Sequence, residues 1–465
     1  MQAPTPKAEC DVDPALLAKF GRHSVRLARA HEGSGFRVQR ALDKAARGGR
    51  VKVAVLGGSV SEGHGFGTAP NQYGAIAHDQ IWHQWVVRDL VSRFGAEAVE
   101  YVEGAKAATD SSYFEWCYPA HIGIDADLVL VELAVNDDFT AEHFAASETL
   151  LRSLLNLPSA PAVILVDSFA LLNARGRPMS LNGGDAHAHL ALRYDVPNVS
   201  LRSAALTAMM ANPKLALPWF NGDERHIAAP MHEMLGAMVS AYLQEEGCRL
   251  QKGGWAEEAE HWGTDEEHAA WPGMGTLGQV PKVSRFASTR VRKALSVLTA
   301  HCLFLSQNLI TEPWNAELVH HSAPPTCHLA TPKSSPTTLS PIEPVPRPWT
   351  LYSWKFSKFY WQVLAAGSPP IRFPVTVRAG AKGEVAVGYL RSPKYSLAKA
   401  RCEVEGARQG AVLDGTWASG ASLTQAGVIA RGLEAGDYVV SCWTLPKAQQ
   451  AKGRGAFRIA SVMSV

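Results

Sequence analysis

The sequence has almost no net charge: 45 basic residues stand against 43 acidic ones, a formal +2 over 465 residues. No arm or stripe of one sign breaks that balance, so nucleic acid is not expected as a partner. Cysteine is sparse and scattered, seven residues in all (Cys10, Cys117, Cys248, Cys302, Cys327, Cys402 and Cys442). None forms a C-x-x-C pair, which argues against a structural zinc site. Long hydrophobic runs are missing. The most apolar stretch, Ala294 to Ile310, carries His301, Cys302, Ser306, Gln307 and Asn308, too polar and too short for a membrane span. The opening MQAPTPKAECDVDPALLAKF has no apolar signal core. No repeat of solenoid length is present.

What remains is an ordinary globular composition, 46% hydrophobic and 19% charged, long enough for two or three domains. Residues 13–48 show helical spacing, and 1–48 read as an N-terminal helical lead-in. From there to 248, short β-branched runs alternate with helical periods. The runs are 51–56, VEYVEGA at 99–105, DLVLVEL at 127–133, PAVILVDSF at 161–169 and 196–201. The helical stretches are 78–94, 141–156, 184–193 and 230–243. This alternation predicts an α/β domain over 49–248, a parallel sheet sandwiched by helices. Sites in such sheets lie at the carboxyl ends of strands.

The texture changes after 248. Residues 249–350 lack a clean period and turn Pro/Ser-rich, as an irregular linker or insertion does. Residues 351–465 read as short strands with turns, including IRFPVTV, EVAVGYL, ARCEVEG, AGVIARGL, DYVVSCWTL and AFRIASV. They predict an all-β sandwich or jelly-roll-like domain. Cys402 and Cys442 both fall there and either pair or stay as two free thiols. The odd cysteine total leaves at least one unpaired within a monomer.

Gly57–Ser59, Gly104 and Asn136-Asp137 sit at predicted strand ends, and three features of the sequence carry chemistry. Gly57-Gly58-Ser59-Val60-Ser61-Glu62-Gly63 is a tight turn whose small residues expose a serine hydroxyl and nearby backbone N–H groups. It lacks the lysine of a Walker loop and the G-x-G-x-x-G spacing, which disfavours a phosphate cradle. Asn136, in Ala134-Val135-Asn136-Asp137, follows a buried strand, where its amide can face a developing oxyanion; an Asn-Asp turn is the plainer reading. Asp223 stands three residues before His226, so the acid can orient an imidazole that serves as general base; a surface pair is the plainer reading.

Taken together and in this order, the blocks resemble the SGNH/GDSL hydrolases. Gly57-Gly58-Ser59-Val60 stands for their first block, with Gly58 where Asp usually braces the turn. Gly104, in Val102-Glu103-Gly104-Ala105, matches the second. Ala134-Val135-Asn136-Asp137 matches the third with Ala134 for Gly, and Asp223 to His226 matches the fifth with Ile227 where Pro is common. The resemblance implies a flavodoxin-like SGNH fold and a Ser59–His226–Asp223 triad. Its oxyanion hole would be the Ser59 N–H, the Gly104 N–H and the Asn136 amide, with no metal or organic cofactor. Ser61 is the rival nucleophile and reads better as a helix N-cap. His232 is the rival base but has no Asp at minus three. Asp137 reads as structural.

The wording GGSVSEGHG followed by DLVLVELAVNDD is similar to a eukaryotic SGNH group of algae, plants and fungi that acts around glycans. Gly388-Tyr389-Leu390-Arg391-Ser392 looks like that group's appended β-domain. The implied function is removal of an acyl group, O-acetyl above all, from a glycan or related ester. A carbohydrate O-acyltransferase, a lipid esterase and a non-catalytic glycan-binding protein are the alternatives. The resemblance points to the secretory route, whereas the written N-terminus does not. Trp82, Trp85, Tyr113 and Trp116 lie near the first two blocks. They could stack on sugars, but they read better as core.

Overall fold

A computed structural model describes residues 12–66, 78–171, 181–220, 222, 224–252, 324–332, 334–354, 358–379, 383–416, 422–451 and 454–465. Asp223, Cys10, Cys302 and the apolar stretch 294–310 lie outside them, as does most of the expected linker. The chain divides into two units, the first drawn mainly from residues up to 281 and the second mainly from the C-terminal part.

The first unit opens on α1 (Pro14–Phe20), started by the Asp13 side chain on the Ala15 N–H with proline at the first turn. Next come α2 (Arg22–Leu27), β1 (Arg29–His31) and α3 (Phe36–Ala46). The sheet proper consists of β2 (Val51–Gly57), β3 (Val99–Glu103), β4 (Leu128–Glu132), β5 (Ala162–Asp167) and β6 (Asn198–Ser200). Strand order is β1-β6-β5-β4-β2-β3. All neighbours are parallel except β1, which runs antiparallel to β6. Without that edge, the order is the flavodoxin-like 2-1-3-4-5.

Helices α4 (Trp82–Phe94), α6 (Ala141–Leu155), α7 (Gly183–Tyr194), α8 (Leu201–Ala211) and α9 (Ala229–Gln251) follow or link these strands. Every residue of β4 and β5 is buried, which is why both read as unbroken apolar runs rather than alternating ones. Each fully buried Val, Leu or Ile there contributes roughly 1.5–3 kcal/mol. Order reverses between β2 and β4, and a crevice opens at such a point beyond the strands' carboxyl ends. The turns carrying Ser59 and Asn136 leave β2 and β4 at that end. Among the described residues, no helix is long and apolar enough to cross a membrane.

The second unit is a β-sandwich with one whole helix and residues 145–153 of α6. One sheet has the order β10-β15-β12-β13 and the other β14-β11-β16-β9-β8, with β7 added against β16. Its strands are β7 (Thr326–Leu329), β8 (Thr350–Trp354), β9 (Lys358–Val363), β10 (Ile371–Val377), β11 (Val385–Arg391), β12 (Lys399–Val404), β13 (Gln409–Asp414), β14 (Leu423–Ala430), β15 (Gly436–Thr444) and β16 (Phe457–Ser464). Strand β10 alternates buried and exposed residues without a break, the mark of a strand with one face on a core. Its Ile371, Phe373, Val375 and Val377 pack in one cluster with Val385, Val387, Phe457 and Ile459 of the opposite sheet.

Strand β7 falls inside the stretch expected to be linker. The helix α5 (Ser111–Ile122) also belongs to this unit, and Cys117 of α5 is disulfide-bonded to Cys327 of β7. That bond had no signal in the spacing. Cys402 and Cys442 stand directly opposite each other on β12 and β15 and are bonded.

Candidate active site

The residues after β2 do not continue as a helix. They form successive turns through 65, closed by His64 N–H on the Ser59 carbonyl at 2.9 Å and Glu62 N–H on the Gly58 carbonyl at 3.1 Å. Gly57 is required there: a Cβ would lie 2.2 Å from Ser61 Oγ. Two neighbouring segments hold the turn's base. Gly58 N–H donates to the Glu132 carbonyl at 3.2 Å, and Lys106 N–H donates to the Gly57 carbonyl at 2.8 Å.

Ser59 Oγ and His226 Nε2 are 2.8 Å apart. This is hydrogen-bond distance for a nucleophile and its base. His226 sits in a narrow loop closed by the Phe220–Ile227 bridge and by Ala228 N–H on the Trp219 carbonyl at 2.7 Å. Gly65 lets this loop approach the nucleophile turn. Its φ is +109°, and a Cβ would meet the Ile227 carbonyl at 2.2 Å and His226 Cβ at 3.1 Å. His64 lies on the same side, its ring centroid 5.3 Å from that of His226 and its Nε2 3.1 Å from Glu62 Oε2. Neither Glu62 nor His64 was assigned a role from the sequence.

The rival residues have other places. Ser61 is wholly buried and is not a helix cap, because no helix starts there. Its Oγ donates to Glu132 Oε2 at 2.9 Å and accepts from Trp82 Nε1 at 3.0 Å. His232 is buried in α9, accepts the Trp82 N–H on Nδ1 at 3.3 Å and stacks on Phe66. Burial lowers its pKa to about 3, so it stays neutral as a core residue. Trp82, Tyr113 and Trp116 are buried, in keeping with the core reading. Trp85 is half-buried under the Arg88 guanidinium, 4.3 Å from its ring.

Asn136 is half-buried in the turn after β4, where its own N–H and that of Asp137 both donate to the Leu133 carbonyl at 2.9 Å. Gly104 requires a correction. Its N–H donates to the Val55 carbonyl at 2.9 Å, continuing the β2–β3 ladder, so that donor is not available to an oxyanion.

Beneath the two turns lies a set of buried polar groups that sequence reasoning largely missed. Glu132, at the end of β4, accepts from Ser61 and, on its other oxygen, from Ser168. Burial outweighs those bonds and pushes its pKa up to about 7. His187 of α7 lies between Asp167 and Asp137, with Nδ1 2.8 Å from one carboxylate and Nε2 2.9 Å from the other. A glutamate in an otherwise apolar strand was the available signal for the first. Nothing in Ala186-His187-Ala188-His189 distinguishes the second. Among the described residues, no group of three or more His, Cys, Asp and Glu side chains is arranged to hold a metal ion.

No family model matches the sequence, and no curated protein matches it. Solved structures do. A two-domain esterase active on acetylated mannans matches over 95% of this chain and 98% of its own, at 16% identity and a TM-score of 0.59. The same esterase co-crystallised with mannopentaose matches over 95% and 97%, at 15% identity and a TM-score of 0.57. The chain has the fold of a two-domain esterase. The expected architecture, a flavodoxin-like parallel α/β unit plus an all-β unit, is the one observed.

Proposed function

We propose that the chain is a carboxylic ester hydrolase that removes acyl groups, O-acetyl in the first place, from a glycan. The observation that carries this reading is the 2.8 Å contact between Ser59 Oγ and His226 Nε2. In the proposed reaction, Ser59 Oγ attacks the ester carbonyl and its proton passes to His226 Nε2. The tetrahedral oxyanion is met by the Ser59 N–H and the Asn136 amide. His226 then returns the proton to the departing sugar oxygen, leaving acyl-Ser59. Water, deprotonated by His226, releases the acid and restores the serine. Asp223 is the proposed partner of the imidazole's other nitrogen. No step calls for a metal or an organic cofactor.

The glycan part of the reading is supported by the two-domain esterase of like fold, which is active on acetylated mannans. The reaction is tested by acetate release from acetylated mannan and from p-nitrophenyl acetate by wild type, Ser59→Ala and His226→Ala. Loss in both variants, with Ser59 labelled by a fluorophosphonate only in folded wild type, is expected. Equal activity in wild type and Ser59→Ala would remove the nucleophile assignment. An inert, unlabelled wild type that still binds acetylated mannan would favour the binding-protein alternative. Acetyl transfer to a sugar hydroxyl in preference to water would favour the acyltransferase.

A further inference from the structure

The turn after β4 presents Asn136, and the N–H groups of 136 and 137 both donate to the Leu133 carbonyl. Contacts from α7 tie it to the rest of the unit, beside the Asp138–Asn182 bridge at the helix's start. Gly183, the first residue of α7, abuts the turn so closely that a Cβ there would lie 2.6 Å from the Asp137 carbonyl oxygen, 2.7 Å from Asp137 Cβ and 2.8 Å from the Ala134 carbonyl oxygen. One turn along the helix, His187 Nε2 reaches Asp137 Oδ2 at 2.9 Å. Its Nδ1 reaches Asp167 Oδ1 at 2.8 Å, and Asp167 Oδ2 accepts from Asn198 Nδ2 at 2.6 Å. His187, Asp137 and Asp167 are all at most 2% exposed. A ring with a carboxylate oxygen at each nitrogen donates from both, as an imidazolium does.

We propose that His187 is a positioning residue for ester hydrolysis: clamped between Asp137 and Asp167, it holds the turn that presents Asn136 to the oxyanion. The inference rests on the reading of Ser59, His226 and Asn136 given above. The clamp connects the turn to β5 through Asp167 and to β6 through Asn198, so three elements set its position. Burial opposes the charge on His187, but Asp167 and Asp137 overcome that and raise its pKa to about 10. The imidazolium therefore persists through the neutral range. A geometry set this way needs no rearrangement as negative charge develops on the substrate oxygen.

The test is a double-mutant cycle in the full chain, read as kcat and KM on p-nitrophenyl acetate. Asn136→Ala is expected to lower kcat by roughly 10²–10³-fold, the effect of losing one oxyanion donor. His187→Gln is expected to lower kcat by about 10–100-fold with KM moved less than about three-fold, since a misplacement on the order of 1 Å can cost that much. In the Asn136→Ala background, His187→Gln should cost less than about two-fold, because the group it positions is gone. Gly183→Ala, which pushes on the same turn from the helix end, should behave alike and serves if His187→Gln does not fold. Multiplying effects of the two substitutions, or wild-type kcat in both folded α7 variants, would overturn the inference while leaving an inactive Ser59→Ala intact. Wild-type kcat in Ser59→Ala would instead overturn the reading on which it rests.

Discussion

Glu132 makes the fold lose stability toward alkaline pH, and Glu132→Gln isolates its share. The side chain is buried at the end of β4, and burial raises its pKa from 4.5 to about 7. In the unfolded chain it ionises at the ordinary value. Between the two, the folded state holds a proton that the unfolded state has lost, so stability falls as pH rises. The difference of about 2.5 units, at 1.36 kcal/mol each, amounts to roughly 3 kcal/mol lost between about pH 4.5 and pH 7. The amide introduced by Glu132→Gln would stand in for the neutral carboxyl and keep an acceptor for Ser61 or Ser168. Wild type should therefore lose about 2 kcal/mol relative to Glu132→Gln from pH 5 to pH 7.5. His187 acts in the same direction over a higher window. Its proton, retained to about pH 10 in the fold against 6.5 ordinarily, adds a further decline that both proteins share. The assay is urea unfolding of both proteins across pH 5–9, followed by tryptophan fluorescence. A pH-independent difference would refute the buried neutral carboxyl. A wild type that gains on the variant as pH rises would show Glu132 ionised in the fold.

Three substitutions probe the rest of the site and frame. Gly65→Ala puts a Cβ into the Ile227 carbonyl at a backbone conformation disfavoured for alanine; displacement of His226 should lower kcat about 10²-fold, and wild-type kinetics would show that the close approach does not set the base. Ser61→Ala leaves Trp82 Nε1 and one Glu132 oxygen without their bonds to that hydroxyl. A stability loss of about 1–3 kcal/mol is expected in denaturant melts, with fluorophosphonate labelling retained; lost labelling in folded protein would reopen the choice of nucleophile. Cys117→Ala opens a bridge across 210 positions, and the chain-entropy cost of up to about 5 kcal/mol should appear as a lower melting temperature of the second unit; an unchanged melt would mean that the sandwich holds α5 without it.

Much of the α/β frame was legible because its central strands are buried on both faces and end in glycine or turn residues. Residues 128–132 and 162–167 left few alternatives to strands. The closing helix was read as 230–243 and runs from Ala229 to Gln251, since its polar last turns, Glu245-Glu246-Gly247, gave no reason to continue. Helix α8 was missed because Leu201 to Ala211 is rich in alanine and methionine with little period. Strand β1, three residues long, owes its state to pairing with β6 rather than to its own composition. Strands β7 to β9 lay in or beside a Pro/Ser-rich stretch, where partners distant in sequence decide the pairing. At the site, Ser59 and His226 were readable as types in order, and the structure brings them together. The N–H of Gly104 was not readable, since whether a strand-end amide points to a ladder or to a substrate depends on the register of its neighbour.

The departure at Gly58 looks different once the bed of the turn is described. A side chain that braces the nucleophile turn from position 58 is absent, and that absence motivates the non-catalytic alternative. Here the turn is braced from below and from the side. Ser61 Oγ ties it to Glu132 and to the Trp82 indole, and His83 Nε2 donates to the Ser61 carbonyl at 2.9 Å, with Tyr101 OH on Nδ1 at 2.8 Å. A carboxyl group on the strand beneath the turn takes part in the brace, and Ser61 is its link. Because a Cβ at position 57 would lie 2.2 Å from Ser61 Oγ, the glycine and the serine work as a pair: the first lets the second fold back under the nucleophile. A slow or inactive enzyme would then need a cause other than a slack turn. The kcat of Ser61→Ala measures what a slack turn costs, because it removes the brace while keeping the Ser59 and His226 side chains.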